Sequence, residues 1–333
     1  MISVPDPALE ALARSFGTTI SHLTQFAGGR EDSDGVIYAY PHNENRRLLK
    51  IMTVQEAEFQ RGLLRLEERL RFMRYLGEKG AYIAYPRYSP KGSLYETHLH
   101  AGNLWFAYSM EIYPGDTHPA KDWDPNFFRN WGQVIGRLHC LAKDYPQWKA
   151  CLDPQTGEEF LTWRQEWEGF YSWCQDEDVK GKWIAMKERL DDLPVNPDVF
   201  GFVHNDPHLF NLLVDGDRIT LLDFDVATHH WFANDIAIAC QHVLVFLTGG
   251  LSKPLHNRRK LHAFLGYFLD GYRRENPLPP EWFNRLDLFI AYRRLLLFTV
   301  MQGWLQTQPE LRSAWKQMIL SEPTIVGELK GLS

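Results

Sequence analysis

The stretch Phe202-Val-His-Asn-Asp-Pro-His-Leu-Phe-Asn-Leu-Leu-Val-Asp-Gly-Asp-Arg-Ile-Thr-Leu-Leu-Asp-Phe-Asp225 decides how this chain is read. It sets His204, Asp206, His208 and Asn211 in one short loop, after the apolar, strand-like run Val199 to Val203. Leu212-Leu-Val214 and Ile219-Thr-Leu-Leu222 read as two short strands, and Asp215-Gly216-Asp217 between them can turn a hairpin. Such a hairpin returns Asp223, twelve residues after Asn211, to the end where Asn211 sits. An amide and a carboxylate brought together can hold Mg²⁺ against phosphates, while a separate loop carboxylate orients a hydroxyl and takes its proton. Phosphoryl transfer from ATP needs that combination. Neither His204-x-Asp206 nor Asp223-Phe-Asp225 carries the inference alone; their spacing around Asn211 does.

His-x-Asp-x-His-x-x-Asn followed by Asp-Phe-Asp resembles the catalytic segment of the aminoglycoside phosphotransferase and choline kinase group, whose fold is similar to that of protein kinases. The resemblance is tight from Phe202 to Ile238 and loose over most of the chain. Asn205 stands where that group mostly has Gly, and Pro207 follows the acid. The resemblance implies Asp206 as the catalytic base, Asn211 and Asp223 as metal ligands, and ATP with Mg²⁺ as cofactors. His204 reads as structural, and His208 as either loop support or a phosphate contact. Asp225 either assists at the metal or caps its turn. Asp235, in Trp231-Phe-Ala-Asn-Asp235, resembles the helix-start aspartate that anchors the catalytic-loop backbone.

Composition sets bounds. The chain has 333 residues, 44% of them apolar and 23% charged, which suits a soluble enzyme of two lobes. A net charge of −6 with no basic stripe argues against nucleic acid. Met1-Ile-Ser-Val-Pro-Asp-Pro lacks the regions of a signal peptide. The longest apolar runs are too short, or too interrupted by Gln241 and His242, to cross a membrane. Cys140, Cys151, Cys174 and Cys240 are dispersed, without Cys-x-x-Cys, and read as reduced thiols of a cytoplasmic protein.

Outward from the central stretch, the expected fold is α+β and two-lobed, protein-kinase-like, with a small β-rich N-lobe (1–112, nucleotide-binding) and a larger, mainly helical C-lobe (113–333, catalytic and acceptor-binding). Asp6 to Phe16 reads as an opening helix. Strands are expected at Ile20 to Phe26, Val36 to Tyr40 and Arg47 to Ile51, then a helix from about Val54 to Lys79, then strands at Leu94 to His100 and Leu104 to Met110. In a kinase-like lobe the connection Ala27 to Gly35 covers ATP phosphates, with Gly28 and Gly29 letting backbone N–H groups approach the oxygens. Lys50 resembles the strand lysine that contacts the α and β phosphates. Of Glu56, Glu58, Glu67 and Glu68, the family spacing favours Glu68 as its partner, with Glu67 next. Glu111 and Tyr113 fall at the hinge, where main-chain atoms would read adenine.

Asp124-Pro125 opens a helix by its cap and first turn. Another is expected from Glu159 to Cys174, and more at Trp231–Leu247, His256–Arg273, Glu281–Gln306 and Glu310–Leu320. Trp163, Trp167 and Tyr171 recur every four residues, with Glu166 nearby and Asp176, Glu177 and Asp178 after them. Such a row is either core or the wall of an acceptor cleft; as a wall it would attract a cation, favouring an amino alcohol or amino sugar. The acceptor is expected to be a small-molecule hydroxyl. A protein Ser/Thr kinase is the alternative on the same scaffold, but no Asp-Phe-Gly to Ala-Pro-Glu segment is present. A non-catalytic nucleotide-binding regulator is the third reading, against which stands the retention of base, metal ligands and lysine.

Overall fold

The structure is a computed structural model that describes residues 3–29, 35–55, 59–117, 123–145, 161–247 and 258–327. The chain divides into two compact units, Met1–Pro114 and Gly115–Ser333. The first is built on an antiparallel sheet, and the second is mainly helical. Among the described residues no helix is long and apolar enough to cross a membrane.

In the first unit α1 (Asp6–Ser15) is followed by β1 (Thr24–Gly28), β2 (Gly35–His42), β3 (Asn45–Gln55), α2 (Phe59–Glu78), β4 (Pro86–Arg87), β5 (Glu96–His100) and β6 (Asn103–Glu111). The sheet order is β1-β2-β3-β6, and the far edge of β6 takes both β5 and β4. Alternation along β3 sends Leu49 and Ile51 to one face, where Ala8, Leu9, Leu12 and Phe16 cover them with Val36, Tyr40 and Trp105. Lys50 falls on the opposite face, between Ile37 of β2 and Tyr108 of β6. Two expectations shift. Ile20–His22 is a 3₁₀ turn, so the first strand starts at Thr24. The third strand runs on to Gln55, because its ladder with β6 continues to Gln55↔Asn103, and no helix begins at Val54.

In the second unit Asp124 caps α3 (Pro125–Lys143) by accepting from the Asn126 N–H at 2.8 Å. Thr162 and Gln165 form a capping box on α4 (Trp163–Trp173). Then come α5 (Glu177–Asp191), β7 (Phe200–Val203), β8 (Leu212–Asp215), β9 (Arg218–Leu221), β10 (Thr228–Trp231), α6 (Phe232–His242), α7 (Arg258–Arg273), α8 (Leu286–Val300), α9 (Gln302–Gln306) and α10 (Pro309–Ser321). The sequence reading lacked α5, although Val179, Trp183, Met186 and Leu190 are buried at helical spacing. It also ran α8 together with its neighbours, which are a 3₁₀ turn at Pro280–Arg285 and the separate α9.

Helices α3 and α7 cross with backbones in contact. A Cβ at Gly132 would lie 1.9 Å from the Phe268 carbonyl oxygen, and one at Gly271 would lie 1.9 Å from that of Arg129. This approach brings His139 and Tyr272 together under the central loop (Nδ1 to the Tyr272 hydroxyl, 2.8 Å).

Candidate active site

The loop after β7 is held from below by Asp235 in the first turn of α6. Fully buried, Asp235 accepts the His204 N–H at 3.0 Å and the Asn205 N–H at 2.8 Å. Its Oδ2 also lies 3.1 Å from His139 Nε2. Burial lowers the pKa of His139 even though Asp235 pulls it up, so the ring is neutral near neutral pH. The Asn276 amide donates to the Tyr272 oxygen at 2.8 Å, leaving that hydroxyl to donate to His139 Nδ1 and Nε2–H to donate to Asp235. The anchoring expected of Asp235 is present in this geometry.

Asn205 has φ +67°, a backbone conformation that favours Gly and that Asn tolerates better than most residues. Its side chain adds what Gly could not. Nδ2 donates to Glu166 Oε2 on α4 and to the Val226 carbonyl at 3.1 Å, and Oδ1 accepts from Asn234 at 2.8 Å. Glu166 in turn accepts the Tyr292 hydroxyl of α8 at 2.6 Å. His204 is buried; its Nε2–H donates to the Leu222 carbonyl at 2.7 Å, and its ring packs 4.3 Å from that of Phe224. It is structural, as its surroundings in the sequence suggested.

Pro207 sits inside an i→i+2 hydrogen bond, His208 N–H to the Asp206 carbonyl at 2.8 Å, and its fixed φ suits that tight turn. The Asn211 N–H then returns to the His208 carbonyl at 2.9 Å. His208 Nδ1 accepts from the Phe210 N–H at 3.2 Å, so a neutral ring carries its proton on Nε2, 3.3 Å from Asp206 Oδ2. Of the two readings of His208, the loop-supporting one has these contacts behind it.

Asp206 also receives a charge that the sequence reading missed. Arg293 of α8, 8% exposed, places Nη2 on Asp206 Oδ1. Burial pushes the Asp206 carboxyl up, but Arg293 and His208 more than offset it and hold it well below the usual carboxylate range. Asn211 Nδ2 donates to the Asp206 carbonyl at 2.9 Å and lies 3.4 Å from Oδ2. Its Oδ1 is therefore the atom left to meet a cation. The Leu222 N–H bonds to the Asn211 carbonyl at 2.9 Å, which sets Asp223 beside Asn211 at the base of the β8–β9 hairpin. Asp223, at φ +62°, is exposed, while Phe224 after it is buried.

Among the described residues no three His, Cys, Asp or Glu side chains gather as metal ligands. The donor set is one amide oxygen and one carboxylate. Hard oxygen donors in so small a number fit a cation that takes its remaining ligands from phosphates and water, as Mg²⁺ does.

The sequence-predicted residues of the first unit are placed as follows by their own contacts. Lys50 is buried on β3. Gly28 and Gly29 close the β1–β2 connection at φ +78° and +75°; a Cβ at Gly28 would meet the Gly35 oxygen at 2.3 Å. The tip of that loop, 30–34, lies outside the described residues, as do Glu56 and Glu58. Burial raises the pKa of Glu68, with Arg71 of the same helix pulling it down. Glu67 is bonded to Arg71. The Glu111 carboxylate is taken by Arg47 at 3.0 Å and Arg87 at 3.2 Å. The carboxylate is thus engaged within the sheet.

Of the aromatic row of α4, Trp163 and Trp167 are core and Tyr171 is half-buried, stacked on Trp167 at 4.9 Å. Trp163 and Trp167 are 3% and 9% exposed; Trp163 packs on Trp231, and the Trp167 indole donates to the Trp183 carbonyl at 2.8 Å. Asp176 caps α5 and is bonded to Arg312 and Lys316. Trp163, Trp167 and Asp176 are thus taken up by the fold and not left open to a ligand. Exposed rings occur elsewhere: Phe210 and Phe246 contact each other at 5.0 Å, beside the stacked pair His208–His242 at 4.4 Å.

Residues 10–287 match the model of a phosphotransferase enzyme family. The chain is 25% identical over 278 residues to an amicoumacin kinase of Bacillus subtilis (strain 168), covering 81% of this chain and 78% of the relative. Among solved structures it is similar to amicoumacin kinase hAmiN in complex with AMP-PNP, Ca²⁺ and Ami (TM-score 0.80, 23% identity, 95% of this chain and 93% of the other). It is also similar to a microcompartment-associated aminopropanol kinase (TM-score 0.67, 16% identity, 96% and 98% covered).

Proposed function

The chain belongs to the phosphotransferase enzyme family, and from that premise we propose that Asp206 is the carboxylate at which its acceptor hydroxyl reacts. Membership makes the chain an ATP-dependent kinase of a small-molecule hydroxyl. The observation that carries the residue assignment is the treatment of Asp206, tied through its loop to buried Asp235 and ion-paired with Arg293.

A carboxylate held below its usual range is ionised throughout the neutral range but is a weak base. That suits phosphoryl transfer, whose transition state is loose: the carboxylate has to orient the hydroxyl first and accept its proton late, as the new O–P bond forms and the bond to the leaving diphosphate breaks. His208 on Oδ2 and Arg293 on Oδ1 fix the rotation of the carboxylate, so its accepting lone pair does not wander. Asn211 Oδ1 and the exposed Asp223 would hold Mg²⁺. The ion would neutralise phosphate charge during transfer. From the first unit, Lys50 would bind the phosphates with a glutamate of α2, Glu68 by spacing, to orient it. Gly28 and Gly29 would offer backbone N–H groups, and the main chain at Glu111 and Tyr113 would meet the base.

For the acceptor, an amine-bearing alcohol is the reading we put forward, resting on the kinases of amicoumacin and aminopropanol to which the chain is similar. The α4 row no longer supports it. The exposed Phe210–Phe246 pair beside the acid supports an acceptor with an apolar part to its skeleton. The test is ADP release by the purified protein offered amino alcohols, amino sugars, matched neutral alcohols and protein substrates, each with Asp206→Asn as blank. Release stimulated only by protein hydroxyls, or equally in the blank, would sink the reading.

A further inference from the structure

Arg294 follows Arg293 on α8 and so points to a different side of the helix, successive residues being about 100° apart. It lines a cavity of about 150 Å³ with Lys182 and Arg189 of α5, Asp287 and Leu295 of α8, and Glu322 beyond α10. Arg294 is 8% exposed; its Nε is buried without a partner, and no other described residue engages the guanidinium in a hydrogen bond or ion pair. Burial draws its pKa down to about 10 despite the pull of Asp287. A buried charge without a counter-ion in contact is costly to the fold.

The carboxylates on the walls are already used. Asp287 accepts three backbone N–H groups, from Ile325 at 2.8 Å, Val326 at 2.9 Å and Gly327 at 2.8 Å. Glu322 is shared between Lys182 at 3.1 Å and Arg189 at 2.8 Å. Three cations thus face two committed carboxylates. A neighbouring void of about 10 Å³ touches Arg294, Gln241 and Trp315, and Gln241 Oε1 there also lacks a partner. That void holds one water at most. A water can satisfy Nε and the Gln241 oxygen, yet it brings no charge. The larger cavity exceeds a water's share of liquid volume, about 30 Å³, several-fold.

We propose that this cavity is a binding site for a small oxyanion, a phosphate or carboxylate group, received by the Arg294 guanidinium with Lys182 and Arg189 at its rim. The planar fork of a guanidinium matches two oxygens of such a group and supplies the charge they need. Arg293 serves Asp206, so the two consecutive arginines of α8 divide between the reacting acid and this separate site.

The experiment is thermal unfolding of the full chain in a zwitterionic buffer at constant ionic strength, titrated with inorganic phosphate in one arm and citrate in the other. The melting temperature is expected to rise with concentration in at least one arm, because a ligand of the folded state stabilises it by mass action; the responding arm identifies the anion class. Arg294→Met is expected to lose that rise and to melt no lower than the parent without anion. Glu322→Gln, which removes the competing carboxylate, is expected to shift the titration to lower concentration. Anion held at the catalytic site instead would persist in Arg294→Met. A rise retained in Arg294→Met, a weaker titration in Glu322→Gln, or no rise in either arm would overturn the proposal.

Discussion

Arg293 and Asp206, 87 residues apart in sequence, form an ion pair in which Nη2 of the guanidinium donates to Oδ1 of the carboxylate. The preceding residue on α8, Tyr292, reaches the same loop through Glu166 and Asn205. One helix turn therefore holds both the Asp206 carboxylate and, through Glu166, the Asn205 side chain beside it.

Arg293→Met should raise the pKa of Asp206, because burial is then opposed only by the weaker pull of His208 and His204. The acid limb of kcat/KM is expected to move toward neutral pH, with Arg293→Lys restoring most of the original profile. Breaking a buried pair also costs about 3–5 kcal/mol of stability, so the profile is measured at a temperature where both variants are folded. An acid limb identical in all three proteins would remove Arg293 from the control of Asp206.

Asp206→Asn keeps the size of the side chain and removes the proton acceptor. Turnover should fall by at least about 10²–10⁴-fold, the usual worth of general-base assistance, with nucleotide affinity within a few-fold. Calorimetry with a non-hydrolysable ATP analogue and single-turnover assays separate the two. Near-normal turnover would reject the assignment.

Asp223→Ala and Lys50→Ala should fail differently. Loss of Asp223 weakens the response to Mg²⁺, so activity or nucleotide binding requires far more metal. Loss of Lys50 impairs phosphate positioning at an unchanged metal midpoint. Superimposable Mg²⁺ titrations of the Asp223 variant and the parent would discard the metal role.

Asn205 gives a stability test. Asn205→Gly relieves the left-handed backbone but leaves Glu166 and Asn234 without their partner; Asn205→Ala loses the same bonds and keeps the strain. Each lost bond to a buried group is worth about 1–3 kcal/mol, so both variants should be destabilised, the Ala variant more. Urea midpoints report this, and a Gly variant as stable as the parent would show that the Asn205 network contributes nothing.

These residues also show where the sequence was legible. Asp206, Asn211 and Asp223 lie within one hairpin of each other, and local turn chemistry suffices to bring them together. Asp235 follows close behind on the next helix. Arg293, Tyr292 and Glu166 were not readable as partners of that loop, because they arrive on helices distant in sequence and no local pattern encodes which way α8 faces. The α4 row was left open between core and cleft wall for a related reason. Aromatic spacing identifies a helix face but not what covers it, and here Trp231 and Trp183 do. In α5 the buried positions are spaced as in any amphipathic helix, so the signal is present in the sequence, and Asp176 before it caps that helix.

The last prediction concerns acid. Burial lowers the pKa of His229 to about 4 and of His230 to about 3. Both are neutral in the fold down to those values, whereas in the unfolded chain they protonate below about 6.5. Between pH 6.5 and 4 the unfolded state therefore binds more protons, and stability, fully present above 6.5, is lost as pH falls. Each group contributes a slope of up to about 1.4 kcal/mol per pH unit. The depressed Asp206 adds its loss only lower, below about pH 3.8, outside the interval from pH 6 to 4.5 in which the histidines are compared. His230 lies among Trp231, Phe289 and Tyr292, with ring centroids 5.4, 5.7 and 5.4 Å away, so a ring of similar shape can take its place. His230→Phe removes one titrating group and should flatten the pH dependence of the urea-unfolding free energy by about one proton between pH 6 and 4.5. The variant also loses the Trp231 N–H bond to His230 Nδ1, a constant offset that leaves the slope alone. A slope unchanged in His230→Phe would mean that His230 is protonated in the fold, contrary to its burial.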